Sequence, residues 1–174
     1  MEKEKKLIKY SDKLVIANDF PLKYLYKIDK LYFLKLLFNQ VYITETVRKK
    51  CKFEMPSWII IEEPTEETKY LISSANIDKG EKSAIALVIE LEILQRYNIV
   101  KNNQCLILVD NNLKKAEVTK KYSIDCINIR DIFSLAYYKN IFTKDEGRDF
   151  FNQIKDLNKV FSKKDINNIF RSRL

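Results

Sequence analysis

Asp78-Lys79-Gly80-Glu81-Lys82-Ser83-Ala84-Ile85-Ala86-Leu87 contains one of only two glycines in this 174-residue chain and opens its longest helical pattern. With Val88, Leu91, Ile93 and Leu94, the pattern runs from Asp78 to about Tyr97. Apolar residues cover much of its circumference, which predicts a mostly buried helix. Asp78-x-x-Glu81 has the form of a capping box, in which two side chains satisfy free amides of the first turn. The other reading of Glu81 is one carboxylate of a metal site. A second run, Ile107-Leu108-Val109-Asp110-Asn111, places another acid at the end of a buried strand, where Asp110 or Asn111 reads equally as a helix N-cap.

Outward from these two runs, short unbroken apolar stretches alternate with helical spacing. Leu14–Ala17, Val41–Ile43, Trp58–Ile61, Leu106–Val109 and Ile124–Ile129 read as strands. Between them, Leu22–Phe38 reads as one or two helices with a joint near Asp29. Thr44 is placed to cap a helix through Val47 to Cys51, and Pro64 and Thr65 open one that reaches about Ser74. A polar helix is expected from Asn111 or Asn112 to Lys121, and another from Asp131 to Tyr138. Thr143-x-x-Glu146, a capping box, and Ser162 mark the starts of two C-terminal helices. Strands without polar alternation, separated by helices, predict an α/β fold, a three-layer α/β/α arrangement around a central parallel sheet. The length fits a single domain over residues 1–174, with its core at about 13–140 and extra C-terminal helices at about 143–174.

Composition narrows the chemistry. Histidine is absent, which excludes Ser-His-Asp and Cys-His catalysis and histidine-bound zinc. Any catalysis must therefore run on carboxylates with a hard cation. Cys51, Cys105 and Cys126 are far apart in apolar contexts and read as reduced core residues. Neither a signal peptide nor a membrane span is legible, so a cytoplasmic protein without membrane contact is expected. A net charge of +8 permits nucleic-acid binding, although a chain rich in Lys, Asn and Ile also follows from an AT-rich coding sequence. Tyr24, Tyr26, Tyr32 and Phe33 are expected in the core rather than as stacking platforms. The basic stretch Lys155–Arg173 reads as a solvated face.

Ligands of parallel sheets bind at the carboxyl ends of the strands. Asn18, Asp19, Asp110 and Asn111 all fall there. Convergence of such oxygens is what Mg²⁺ or Mn²⁺ requires.

Taken in order, Asn18-Asp19-Phe20-Pro21-Leu22, Val41-Tyr42-Ile43-Thr44-Glu45-Thr46-Val47, Asp78-x-Gly80-Glu81-x-x-Ala84-Ile85 and Leu108-Val109-Asp110-Asn111 resemble the PIN-domain family, in its nucleic-acid-binding branch. The resemblance runs from about Leu14 to Ile154. It implies a Mg²⁺- or Mn²⁺-dependent ribonuclease, often the toxin of a toxin–antitoxin pair, in which an acidic cluster holds the metal that activates water. By this resemblance Glu81 and Asp110 are the principal ligands, with Asp19 as a further catalytic acid, Asn18 and Asn111 as weaker oxygen ligands, and Asp78 as an accessory. Asn18 and Asn111 stand where the family has Asp, and Lys50 falls where it usually has Glu. Lost charge and an intruding ammonium imply weak metal binding, hence a degenerate nucleic-acid-binding domain with little or no cleavage. The alternative is an active ribonuclease. Asp19 replaces Asn18 only if the strand slips by one residue, because adjacent side chains face opposite ways. RNA, an antitoxin-like partner protein and a second copy of the chain are the partners implied.

Overall fold

A computed structural model describes residues 10, 13–96, 105–109, 120–157 and 170. Five strands, β1 (Leu14–Ala17), β2 (Gln40–Ile43), β3 (Ile59–Ile61), β4 (Cys105–Val109) and β5 (Asp125–Asn128), form a parallel sheet in the order β3-β2-β1-β4-β5. Helices cover both faces, giving the expected three-layer α/β/α architecture.

Strands β1 and β4 are buried along their whole length, which is why their sequences carry no polar alternation. Val15, Ala17, Val41, Ile43, Leu106, Leu108 and Ile127 enter one core. It is closed by α1 (Asp19–Lys27), α2 (Phe33–Leu37) and α6 (Ile129–Tyr138), with aromatic residues of α7 (Lys144–Leu157). Leu14, Ile16, Cys105 and Ile107 face the other way, onto α5 (Lys79–Arg96). Two shorter helices, α3 (Glu45–Lys50) and α4 (Glu66–Leu71), border α5.

The joint near Asp29 is real. Asp29 adopts φ 54°, and Lys30 N–H donates back to Leu25 O at 2.7 Å, closing the C-terminus of α1. Aspartate tolerates this left-handed conformation better than a β-branched residue. Thr44 caps α3 by accepting from Val47 N–H at 3.2 Å. The Thr143–Glu146 capping box forms in both directions, at 2.7 and 3.3 Å. A second box, Asn128 with Asp131, starts α6 two residues before the sequence reading placed it. Most of the polar helix expected up to Lys121, the helix expected from Ser162 and most of the basic stretch to Arg173 lie outside the described residues.

Two expectations about side chains need correction. Tyr24 and Phe33 are buried, but Tyr26 is 50% and Tyr32 45% exposed. On α1 the buried stripe is Pro21, Leu22, Tyr24 and Leu25. Tyr26 lies one helical step beyond it, so helical spacing alone counted it wrongly. Cys51 and Cys105 are buried, reduced thiols as expected, whereas Cys126 is half-buried.

Candidate functional site

The strand order reverses at β1. The chain builds outward through β2 and β3, then crosses back to lay β4 on the other side, and the carboxyl edge between β1 and β4 is where such sheets open a crevice. Asn18 stands at that edge. Its N–H donates to Leu108 O at 3.0 Å, adding a bond beyond the β1–β4 ladder. Its side chain is 1% exposed, and Oδ1 accepts from Asp19 N–H at 2.8 Å at the start of α1.

Asp78 forms the N-cap half of the box read from sequence. Its Oδ1 accepts from the N–H of Gly80 at 2.7 Å and of Glu81 at 3.1 Å. The positive end of α5 is thus already faced by a carboxylate. The same Oδ1 accepts from Lys50 Nζ at 2.7 Å, an ion pair across 28 residues of sequence that joins the end of α3 to the start of α5. Burial pushes the Asp78 carboxyl up, but hydrogen bonds from the Lys50 ammonium and the Glu81 backbone N–H, with the charge of Lys50, outweigh it and hold the group at about 2. Glu81 itself is 6% exposed.

Gly80 marks the point where these groups converge. A Cβ at this position would stand 2.8 Å from Lys50 Nζ, 3.1 Å from Asp78 Oδ1 and 3.4 Å from Asn18 Oδ1. Its φ is not positive, so close approach explains the glycine rather than backbone conformation. Below lies a buried hydroxyl chain that no sequence pattern singles out. Ser83 Oγ donates to Gly80 O at 2.9 Å and lies 2.7 Å from Thr44 Oγ1. Each hydroxyl has one proton, so the direction is fixed: Val47 N–H to Thr44, Thr44 to Ser83, Ser83 to Gly80.

Of the residues singled out from sequence, Asn18, Lys50, Asp78 and Glu81 therefore meet at the carboxyl edge. Asp19 is the first residue of α1 and binds its own helix, its Oδ2 accepting from Lys23 Nζ at 2.6 Å. Asp110 and Asn111 lie outside the described residues, just beyond Val109.

Beside the cluster, Lys23, Tyr26, Lys27, Lys50, Lys52 and Phe53 line a groove of about 350 Å³. Tyr26 and Phe53 stack in it with ring centroids 3.9 Å apart and planes 6° from parallel. Sequence spacing missed this pair because its members belong to different elements. The clue that could have found it is the Lys-rich company of both rings, in Lys23 to Lys27 and Lys49 to Phe53.

A parallel α/β/α sandwich with polar residues gathered at the carboxyl edge of its first strands is an architecture shared by many ligand-binding and nuclease-like domains. The chain belongs to the PIN-domain family: the DUF3368 family model, described as a PIN domain, matches residues 14–172. Neither the curated proteins nor the solved structures give a match to it.

PIN domains generally use divalent metal ions. The described residues fit such an ion poorly. Among them, no three His, Cys, Asp or Glu side chains are grouped to hold one. Where Asn18 Oδ1 and Asp78 Oδ1 come together, the cation present is the Lys50 ammonium. Among the described residues no helix is long and apolar enough to cross a membrane.

Proposed function

We propose that this PIN domain binds nucleic acid and cleaves it weakly or not at all, because a lysine has taken the place of the divalent ion. The observation that carries this reading is the 2.7 Å bond from Lys50 Nζ to Asp78 Oδ1. A catalytic cation must be able to pull electron density from a phosphate and lower the pKa of a bound water. An ammonium does neither. It can attract a phosphate and donate hydrogen bonds to it, which is a binding role. The net charge of +8 supports the same ligand class. Glu81 and Asn18 supply oxygens at the same edge, and Asp110 follows the buried end of β4. In this reading they form a partial ligand set of low affinity, since each acid replaced by an amide or an amine removes charge that offsets dehydration of the ion.

Mn²⁺ titration by calorimetry, beside an RNA cleavage assay of wild type, Glu81→Gln and Lys50→Glu, tests it. The expected result is no saturable Mn²⁺ binding at millimolar concentration in wild type, and measurable binding in Lys50→Glu. Wild-type cleavage that Glu81→Gln abolishes overturns the proposal and establishes the active ribonuclease, of the kind found in toxin–antitoxin pairs.

A further inference from the structure

We infer that the groove between α1 and the segment after α3 is a binding station for a single-stranded nucleic-acid segment: Lys27 and Lys52 hold phosphates there, and the Tyr26–Phe53 stack receives an unpaired base. This rests on the nucleic-acid-binding reading above and adds to it a place and a strand type.

Charge comes first. Four of the six lining residues are lysines. Lys23 is paired with Asp19 and Lys50 with Asp78, while Lys27 and Lys52 have no acidic partner among the described residues. A second groove of about 350 Å³, lined by Thr46, Glu63, Lys69, Ser73, Lys79, Lys82 and Ser83, flanks α5 and provides the comparison. There Lys69 is held by Glu63 at 3.0 Å and Glu66 at 2.8 Å, and Lys82 Nζ donates to Ser73 O at 2.6 Å. Its cations are largely engaged and it contains an acid, so the first groove is the one left positive for an anion.

The rings then decide what kind of anion. Tyr26 is 50% exposed while its other face is covered by Phe53, so the pair presents a flat apolar surface at the wall of a cationic groove. An acidic peptide has no use for such a surface, whereas a nucleobase stacks on it. A base in a duplex has both faces covered by its neighbours, which restricts the station to unpaired strands. The volume suits a unit of nucleotide size rather than a helix. Lys50 lines the groove and also bonds Asp78, so a strand seated there leads directly to the polar cluster at the sheet edge.

Fluorescence anisotropy with a short labelled single-stranded RNA tests the station, with the same oligonucleotide carrying abasic sites as control. Tyr26→Ala should weaken RNA binding about tenfold, leave binding of the abasic strand unchanged, and be rescued by Tyr26→Trp. Lys27→Ala with Lys52→Ala should reduce the slope of log affinity against log salt by about 1.4, roughly 0.7 for each phosphate no longer neutralised. Unchanged thermal midpoints exclude unfolding at these exposed positions. If wild type binds RNA and neither variant alters it, the station is refuted while nucleic-acid binding stands. If wild type binds no RNA at all, the nucleic-acid-binding reading fails, and the station with it. If polyglutamate displaces RNA at equal charge and Tyr26→Ala has no effect, the groove serves an acidic peptide and the inference is wrong.

Discussion

The chain has two glycines, and their surroundings differ in a way that separates its scaffold from its chemistry. Both lie in helices, and neither has a positive φ. At Gly147, in α7, an added Cβ would stand 2.6 Å from Phe142 and 2.7 Å from Phe170. Those rings belong to a cluster in which Phe33, Phe133, Phe142, Phe150, Phe151 and Phe170 meet edge-on, stacked or tilted. At Gly80 the nearest atom is the tip of a flexible lysine. One glycine is walled in by packing and the other by polar contacts, so the same substitution asks two different questions.

The largest effect is expected in the aromatic region. Phe133→Ala removes a fully buried ring from the centre of the cluster and should cost about 3–5 kcal/mol, read as a fall in the denaturant midpoint at constant slope. Gly147→Ala should follow at about 1–3 kcal/mol, because rings packed on several sides cannot retreat. If it proves neutral, the cluster is softer than its geometry states and the contrast between the glycines collapses.

At the polar edge the effects are smaller and depend on pH. Asp78 is depressed to about 2 from an ordinary carboxyl value of about 3.9. A group lowered on folding stabilises the protein above its unfolded value, and that contribution is lost as pH falls through the folded value. Asp78 is about half exposed and Lys50 a third, so solvent screening reduces the pair to about 1 kcal/mol. Asp78→Asn should lower stability by that amount at neutral pH, and the difference from wild type should disappear between about pH 4 and pH 2 in acid unfolding curves. Because asparagine Oδ1 can still cap the helix, a difference that persists undiminished at pH 2 would mean that the carboxylate charge is not what stabilises this edge.

Smallest of all should be Gly80→Ala. Alanine gains about 1 kcal/mol of helix propensity over glycine, which offsets the displacement of Lys50 Nζ, and stability should change by less than about 1 kcal/mol. The informative readout is Asp78 itself, whose titration by NMR should move upward as the lysine is pushed away. An unchanged titration would mean that the lysine is not what holds the carboxylate down.

Much of this contrast is legible in the sequence, and the part that is not has a physical reason. Unbroken apolar runs mark β1 and β4 because buried parallel strands need no polar face. The family resemblance, in which Lys50 falls where the helix after the second strand usually supplies Glu, implies a place for it near the acids. Its particular partner, Asp78 rather than Glu81, depends on how the end of α3 lies against the first turn of α5, which no local pattern encodes. The Tyr26–Phe53 stack is hidden for the same reason. Asn128-x-x-Asp131 is a readable cap, masked because Ile129 looks like the end of a strand. The Thr44–Ser83 bond joins residues 39 apart, each of which alone reads as an ordinary helix-start hydroxyl.

That bond has a consequence for how such a protein can change. The junction between the second strand and the long helix is fastened by two uncharged hydroxyls, both buried. This bond itself involves no carboxylate, although Asp78 caps the same helix one turn away. An acid at the sheet edge can therefore be exchanged for an amide without loosening this bond, so that such a change costs the fold only what that side chain itself contributes.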